Sequence, residues 1–274
     1  MARRLTTLLG LLAVAIRSSL ACTAQIPADA ASISWLPVSD QIINIFENGS
    51  PQFAWSYCKD IKDGRGATAG YRGFTTGTQD AFVVLDLFSP GSKADSQKKS
   101  TSSFCKQWRS FDAKDPDCFR ASQQSVAFDQ QIKPTIDFVR ARPPLQSNLA
   151  HLLVYDAFVQ HGLNDDEFGK GITSMWATTM AAVGSSATEP VALAAFLDAR
   201  RKVLLEGGKI WKESVPRVDA LQKLYNDGNF NLTTPLFITD YWYSEPLPAL
   251  LTSSASHLCY PLLTLVLPFF LAFL

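Results

Sequence analysis

The stretch Asp63-Gly64-Arg65-Gly66-Ala67-Thr68-Ala69-Gly70-Tyr71-Arg72-Gly73-Phe74-Thr75-Thr76-Gly77-Thr78-Gln79-Asp80 sets five glycines among threonines and aromatic residues. Glycine at that density suits tight turns and short strands, not helix. On both sides the signals are helical. Ser39-Asp40 ahead of Ile42, Ile43, Ile45 and Phe46 predicts a capped helix that stops at Asn48-Gly49, and Ala81 to Phe88 predicts another. After a polar segment from Ser89 to Asp117, Ser147 caps a run ending at His161-Gly162. Phe168 to Val183 is a further helix, Pro190 opens one that closes at Gly207-Gly208, and the last runs from near Pro216 to Asp227-Gly228. The expected class is α+β, mostly helical with one small β element.

Composition narrows the function. The 274 residues carry 25 Lys+Arg and 25 Asp+Glu, and this balance argues against a dedicated nucleic-acid binder. Hydrophobic residues at 47% and charged residues at 18% exclude a disordered chain and suffice for one large core or two small ones. The ends differ from the middle. Met1-Ala-Arg3-Arg4, the apolar run Leu5 to Ile16 and A-x-A-like exits after Ala21 or Ala24 read as a secretory signal over residues 1–24, its run too short to span a bilayer. The tail 253–274 places Ser253-Ser254-Ala255-Ser256 before the apolar run Leu258 to Leu274, as in a GPI signal, the alternative being a retained hydrophobic tail. The folded domain is then 25–252, exported and either free or held at the cell surface. Arg3, Arg4 and Arg17 leave with the leader, so 22 basic residues face 25 acidic ones in what remains.

With Cys22 in the leader and Cys259 in the tail, an oxidising compartment makes Cys105 and Cys118 the expected disulfide and leaves Cys58 as a buried thiol. The chain has no CxxC pair and no HExxH, so no metal or cofactor is expected. Of the sequons Asn48-Gly49-Ser50 and Asn231-Leu232-Thr233, Pro51 disfavours the first, leaving Asn231 as the glycosylation candidate. His151 and His161 read as structural.

Three expected helices carry an ionisable residue in their apolar stripe. Asp156 lies with Leu152, Leu153 and Val159, Arg200 with Phe196, Leu197, Val203 and Leu204, and Arg217 with Leu221 and Leu224. Buried charges need partners, so either the three pair or each helix turns its charge to water. Glu47, at a helix C-terminus, and Asp63, in a hydrated turn beside Arg65, are two carboxyls in unlike surroundings. Such a pair suits the acid and base of a glycosidase, and equally two surface carboxylates near turns.

These residues resemble glycoside hydrolase family 46, the chitosanases. The resemblance rests on Phe46-Glu47-Asn48, on Asp60-Ile61-Lys62-Asp63-Gly64-Arg65-Gly66-Ala67-Thr68-Ala69-Gly70 and on Gly73-Phe74-Thr75-Thr76-Gly77-Thr78-Gln79-Asp80. It continues through Tyr155 to Gly162, Phe196 to Arg200, and Arg217-Val218-Asp219 leading to Gly228 through Leu232. It implies a two-lobed, lysozyme-like fold and an inverting endo-hydrolase of chitosan acting as a monomer. Glu47 would be the general acid and Asp63 the base, with Thr68 helping to hold the attacking water; inversion sets the carboxyls roughly 6.5–9.5 Å apart. By the same resemblance Asp80 would meet a glucosamine ammonium, Tyr57 and Arg65 would line the cleft, and Asp156, Arg200 and Arg217 would form a buried supporting network. The sequence departs from the family pattern in a loop between Glu47 and Asp63 about two residues short, in Leu163-Asn164-Asp165-Asp166 after His161-Gly162, and in a segment Ser92 to Asp117 that the pattern does not explain. The shortened loop keeps a second reading open, a weakly catalytic amino-sugar-binding surface protein. A third is a lysozyme- or chitinase-like enzyme, against which Asp80 weighs.

Overall fold

The computed structural model describes residues 24, 33–62, 64–166, 169–238 and 246–247. The leader run and Cys22, Asp63, the hydrophobic tail and Cys259 lie outside the described residues. No helix among the described residues is long and apolar enough to cross a membrane.

Two hydrophobic clusters divide the molecule. The first is helical. Helix α1 (Leu36–Asn48) packs with α6 (Lys133–Arg140), α7 (Asn148–His161), α8 (Ile172–Val183), α9 (Glu189–Glu206) and α11 (Val215–Asn226) around Ile42, Leu149, Leu153, Phe196 and Leu221. The second joins a three-stranded antiparallel sheet, β1 (Cys58–Asp60), β2 (Ala67–Ala69) and β3 (Phe74–Thr75), to α2 (Asp80–Phe88), α4 (Thr101–Lys114) and α5 (Pro116–Ala127) around Tyr71, Trp108 and Phe119. The short helices α3 (Ser92–Gln97) and α10 (Lys209–Lys212) and the strand pair β4 (Leu236–Phe237) and β5 (Pro246–Leu247) complete the chain. The expected α+β class and its two lobes are found.

Most helix ends fall where their signals stand. Ser147 accepts from the Ala150 amide, Gly49 closes α1 in the left-handed region at φ 68°, and Pro190 lies in the first turn of α9. Ser39-Asp40 is not the cap of α1, which begins a turn earlier with Pro37 in its first turn; Ser39 is instead buried. The larger surprise is the segment Ser92 to Asp117, which is helical, followed by continuous helix to Arg140. Within it Phe128–Ile132 forms a π-helical turn. Pro134 has no N–H to close a bond to the carbonyl four residues back, and a wider turn just before it absorbs that loss. Val126 and Ala127 belong to the second core while Phe128 and Ile132 belong to the first, so the π turn is where the chain crosses between lobes.

The expected Cys105–Cys118 disulfide is not formed. α4 lies along β1, which brings the Cα of Cys105 to 5.2 Å from that of Cys58, and these two are joined. Cys118, at the start of α5, is disulfide-bonded as well, to a partner outside the described residues. Sequence order favoured the nearer cysteine, but sheet packing decided the pair. The bond closes a loop of 47 residues between sheet and helix. Replacing Cys58 and Cys105 together by alanine is expected to lower unfolding free energy by about 2–4 kcal/mol in urea titration.

Candidate active site

Glu47 is the last residue but one of α1, and its Oε1 accepts from Arg217 Nη1 at 2.7 Å. Arg217, in the first turn of α11, also donates through Nη2 to Asp156 Oδ1 at 2.7 Å and lies 5.0 Å over the Phe46 ring. Asp156 is wholly buried on α7, and its Oδ2 takes Arg200 Nη1 at 2.6 Å; Arg200, on α9, is equally buried. The three stripe charges therefore pair with each other across α7, α9 and α11 instead of turning to water. Burial pushes the Asp156 carboxyl up, but Arg217 and Arg200 outweigh it and hold the group below the usual carboxylate range. Asp156 and Glu47 in turn favour charge on Arg217, whose affinity for its proton is raised despite burial. Glu47 Oε2 makes no hydrogen bond among the described residues.

Asp63 lies outside the described residues; on either side of it the chain turns at Lys62 and Gly64, with φ of 65° and 85°. Asp60 builds that turn, accepting from the Lys62 amide at 2.9 Å and from its ammonium at 2.8 Å. Across the turn, Gly66 packs so close to Thr76 that a Cβ would fall 2.3 Å from the hydroxyl. Ala67 and Ala69 of β2 point into the second core, so Thr68 between them faces the other way. Its Oγ1 is buried and has no hydrogen-bond partner among the described residues. Tyr57 is half-buried, with its carbonyl accepting from Gly70 N at 2.8 Å; Arg65 is exposed, and its carbonyl accepts from Gly77 N at 2.8 Å.

Asp80 opens α2. Its Oδ1 accepts from Thr75 N, Thr78 Oγ1 and Ala81 N at 2.7, 2.7 and 2.8 Å, while Oδ2 makes no hydrogen bond among the described residues. Burial pushes this carboxyl up in spite of those donors. Asn231 is exposed, whereas the Asn48 amide is committed to Asn44 Oδ1 and the Tyr71 carbonyl. His151 stacks on Trp35 and shares a 2.9 Å hydrogen bond with the Ser147 carbonyl.

Two further groups carry no motif. Asn44, one turn before Glu47, donates to the Gln52 carbonyl at 2.8 Å and so ties down the loop that follows α1. Arg72 is buried between the lobes, donating to Asp40 and to Tyr155 Oη. An arginine set between Gly70 and Gly73 was the only sequence signal for it.

The profile of Glycosyl hydrolase family 46 matches residues 41–92 and 90–236, a span that includes the segment Ser92 to Asp117 expected to be foreign to the family. A chitosanase of Bacillus subtilis (strain 168) is 30% identical over 233 residues, 76% of this chain and 82% of its own length. A chitosanase of Nocardioides sp. (strain N106) is 31% identical over 223 residues, 73% of this chain and 76% of its own. Among solved structures, the GH46 chitosanase of Gynuella sunshinyii in complex with chitotetraose superposes with a TM-score of 0.67 at 30% identity, covering 82% of this chain and 99% of that one. A mutant chitosanase of Bacillus subtilis MY002 complexed with 6 GlcN gives 0.67 at 27% identity, covering 78% and 98%.

His161 closes the network's far side, stacked 5.1 Å from Trp211, with Arg200 Nε 3.4 Å from its Nε2. Burial, aided by the charges of Arg200 and Arg217, pushes its imidazole from 6.5 down to about 3. The unfolded chain binds a proton between those values that the folded chain does not. Stability therefore falls as pH drops from 6.5 towards 3, by up to about 1.4 kcal/mol per unit from this group. Urea titrations across that range should show the slope, and His161→Gln should flatten it. Matched by the family profile over residues 41–92 and 90–236 and by relatives over most of its length, this chain belongs to glycosyl hydrolase family 46 and is a glycoside hydrolase.

Proposed function

We propose that the enzyme is an exported endo-chitosanase that cleaves β-1,4 links between glucosamine units with inversion. The observation that carries this reading is the Glu47–Arg217–Asp156–Arg200 chain of contacts, which fixes one exposed carboxyl on a buried charged base. Glu47 Oε2 delivers a proton to the leaving oxygen. Asp63 removes one from the water that attacks the opposite face, and the partnerless Thr68 hydroxyl helps to hold that water. Tyr57 and Arg65 line the cleft. The Asp80 carboxylate, short of solvent and with Oδ2 unengaged, gains most from a cation, and the ammonium of glucosamine supplies one. Relatives complexed with chitotetraose and 6 GlcN support that substrate class. Export rests on the leader of residues 1–24, and a surface tether on the tail from Ser253.

Proton NMR of fresh digests of chitosan should show the α-anomer first, and Glu47→Gln should lower kcat by about 10²–10⁴-fold. A Glu47→Gln enzyme as fast as wild type would overturn the assignment of the acid. Asp80→Asn keeps the Oδ1 acceptor and removes the charge. It is expected to raise KM for glucosamine oligomers about tenfold, read from initial rates of reducing-end release.

A further inference from the structure

Arg72 is a charge in an unexpected place. It follows β2 and sits in the turn Gly70 to Gly73, yet its side chain is fully shielded from solvent. The guanidinium lies 4.8 Å from the centroid of the Tyr71 ring and 5.2 Å from that of Tyr155. Nη2 donates to Asp40 Oδ1 and, at 2.8 Å, to Tyr155 Oη, and that hydroxyl in turn donates to Asp40 Oδ1 at 3.0 Å. Nε and Nη1 are buried with no hydrogen-bond partner among the described residues. A cation held this way is a costly means of filling space, since an apolar side chain would leave no donor unmet.

Its partners show what it spans. Tyr71 belongs to the sheet core, while Tyr155 belongs to the helical core and Asp40 stands on α1 beside it. Asp40, Asn44 and Glu47 recur at helical spacing along one face of α1. On α7, Tyr155 adjoins Asp156, so consecutive residues anchor this cluster and the one that reaches Glu47. Asn48 donates to the Tyr71 carbonyl at 3.2 Å, a second tie from α1 to the same turn. From that turn the chain leads back through β2 to Thr68 and the loop carrying Asp63.

We propose that Arg72, through Asp40 and Tyr155, is a positioning residue that sets the Thr68 strand against Glu47. It fixes the spacing across which the acid and the water act, without touching substrate. This rests on the proposed hydrolysis of chitosan, so one of its readouts does not depend on activity.

Arg72→Met, Arg72→Lys and wild type are compared in kinetics on soluble chitosan, thermal unfolding and hydrogen exchange. Arg72→Met is expected to unfold cooperatively and to keep KM within about threefold. Its kcat should fall about 30-fold, and amides of residues 67–75 should exchange at least tenfold faster while those of α8 and α9 are unchanged. Arg72→Lys should recover at least threefold of the lost kcat, because an ammonium can still pair with Asp40. A folded Arg72→Met with kcat within twofold of wild type overturns the proposal, as does unchanged exchange over 67–75 or a loss shared evenly by all helices. Should Arg72→Met not fold, Asp40→Asn is measured against the same criteria. Wild type that releases no reducing ends would sink the chitosanase reading alone, and the exchange pattern would still decide the role of Arg72.

Discussion

Asp156 is the carboxylate on which the rest depends. Taken alone, a fully buried carboxylate would cost several kcal/mol and would take up a proton. Two guanidiniums keep it charged and are themselves kept from water by helices α7, α9 and α11. Removing either arginine leaves an uncompensated charge, so the three helices cannot shift independently without breaking an ion pair. The surface end of this assembly is Arg217 Nη1 on Glu47. The Glu47 carboxyl, proposed as the acid, is thus held by the same interaction that locks the helical lobe, and its position inherits the stiffness of the core.

The sheet lobe solves a different problem. Its strands are two or three residues long, too short to be stable alone, and they are held by side chains aimed at backbone. Trp108 Nε1 and Gln123 Nε2 both donate to the Trp55 carbonyl, and Gln123 Oε1 accepts from Tyr71 N. Gly70 is required here: a Cβ would stand 2.3 Å from Gln123 Oε1 and 2.8 Å from the Trp108 ring. These contacts, with the Cys58–Cys105 bond, give the glycine-rich turns a firm floor.

Much of this was legible in order along the chain. The helices from Ser147 onwards carried caps, prolines and terminal glycines that mark their ends, and glycine density marked the sheet. The stripe charges marked where a network could form, but spacing left open whether they paired or turned to water, and only the family resemblance favoured pairing. What stayed hidden depends on distant neighbours. The helices from Ser92 to Arg140 have a polar face and a proline inside, so local pattern undersold them. The cysteine pairing followed from α4 lying along β1, which proximity in sequence does not reveal. Asp40, Asn44 and Arg72 have no motif at all and gain meaning only from what the folded chain puts beside them.

The sheet lobe is a single excursion of the chain, leaving the helical lobe after α1 and returning at the π turn. The helical lobe is therefore split, with its first helix separated from the others by the whole of the second core. Glu47 meets Arg217 across 170 positions of sequence, and Asp40 meets Tyr155 across 115. During synthesis α1 emerges first, and beyond its ties to the Tyr71–Arg72 turn it lacks its helical partners until α7 and α11 have followed. A nascent chain stalled before Arg217 carries Glu47 without its counter-ion. The hydrolase is in this sense assembled from distant parts of its chain, and the Glu47 carboxyl acquires its setting only once Arg217 has been made.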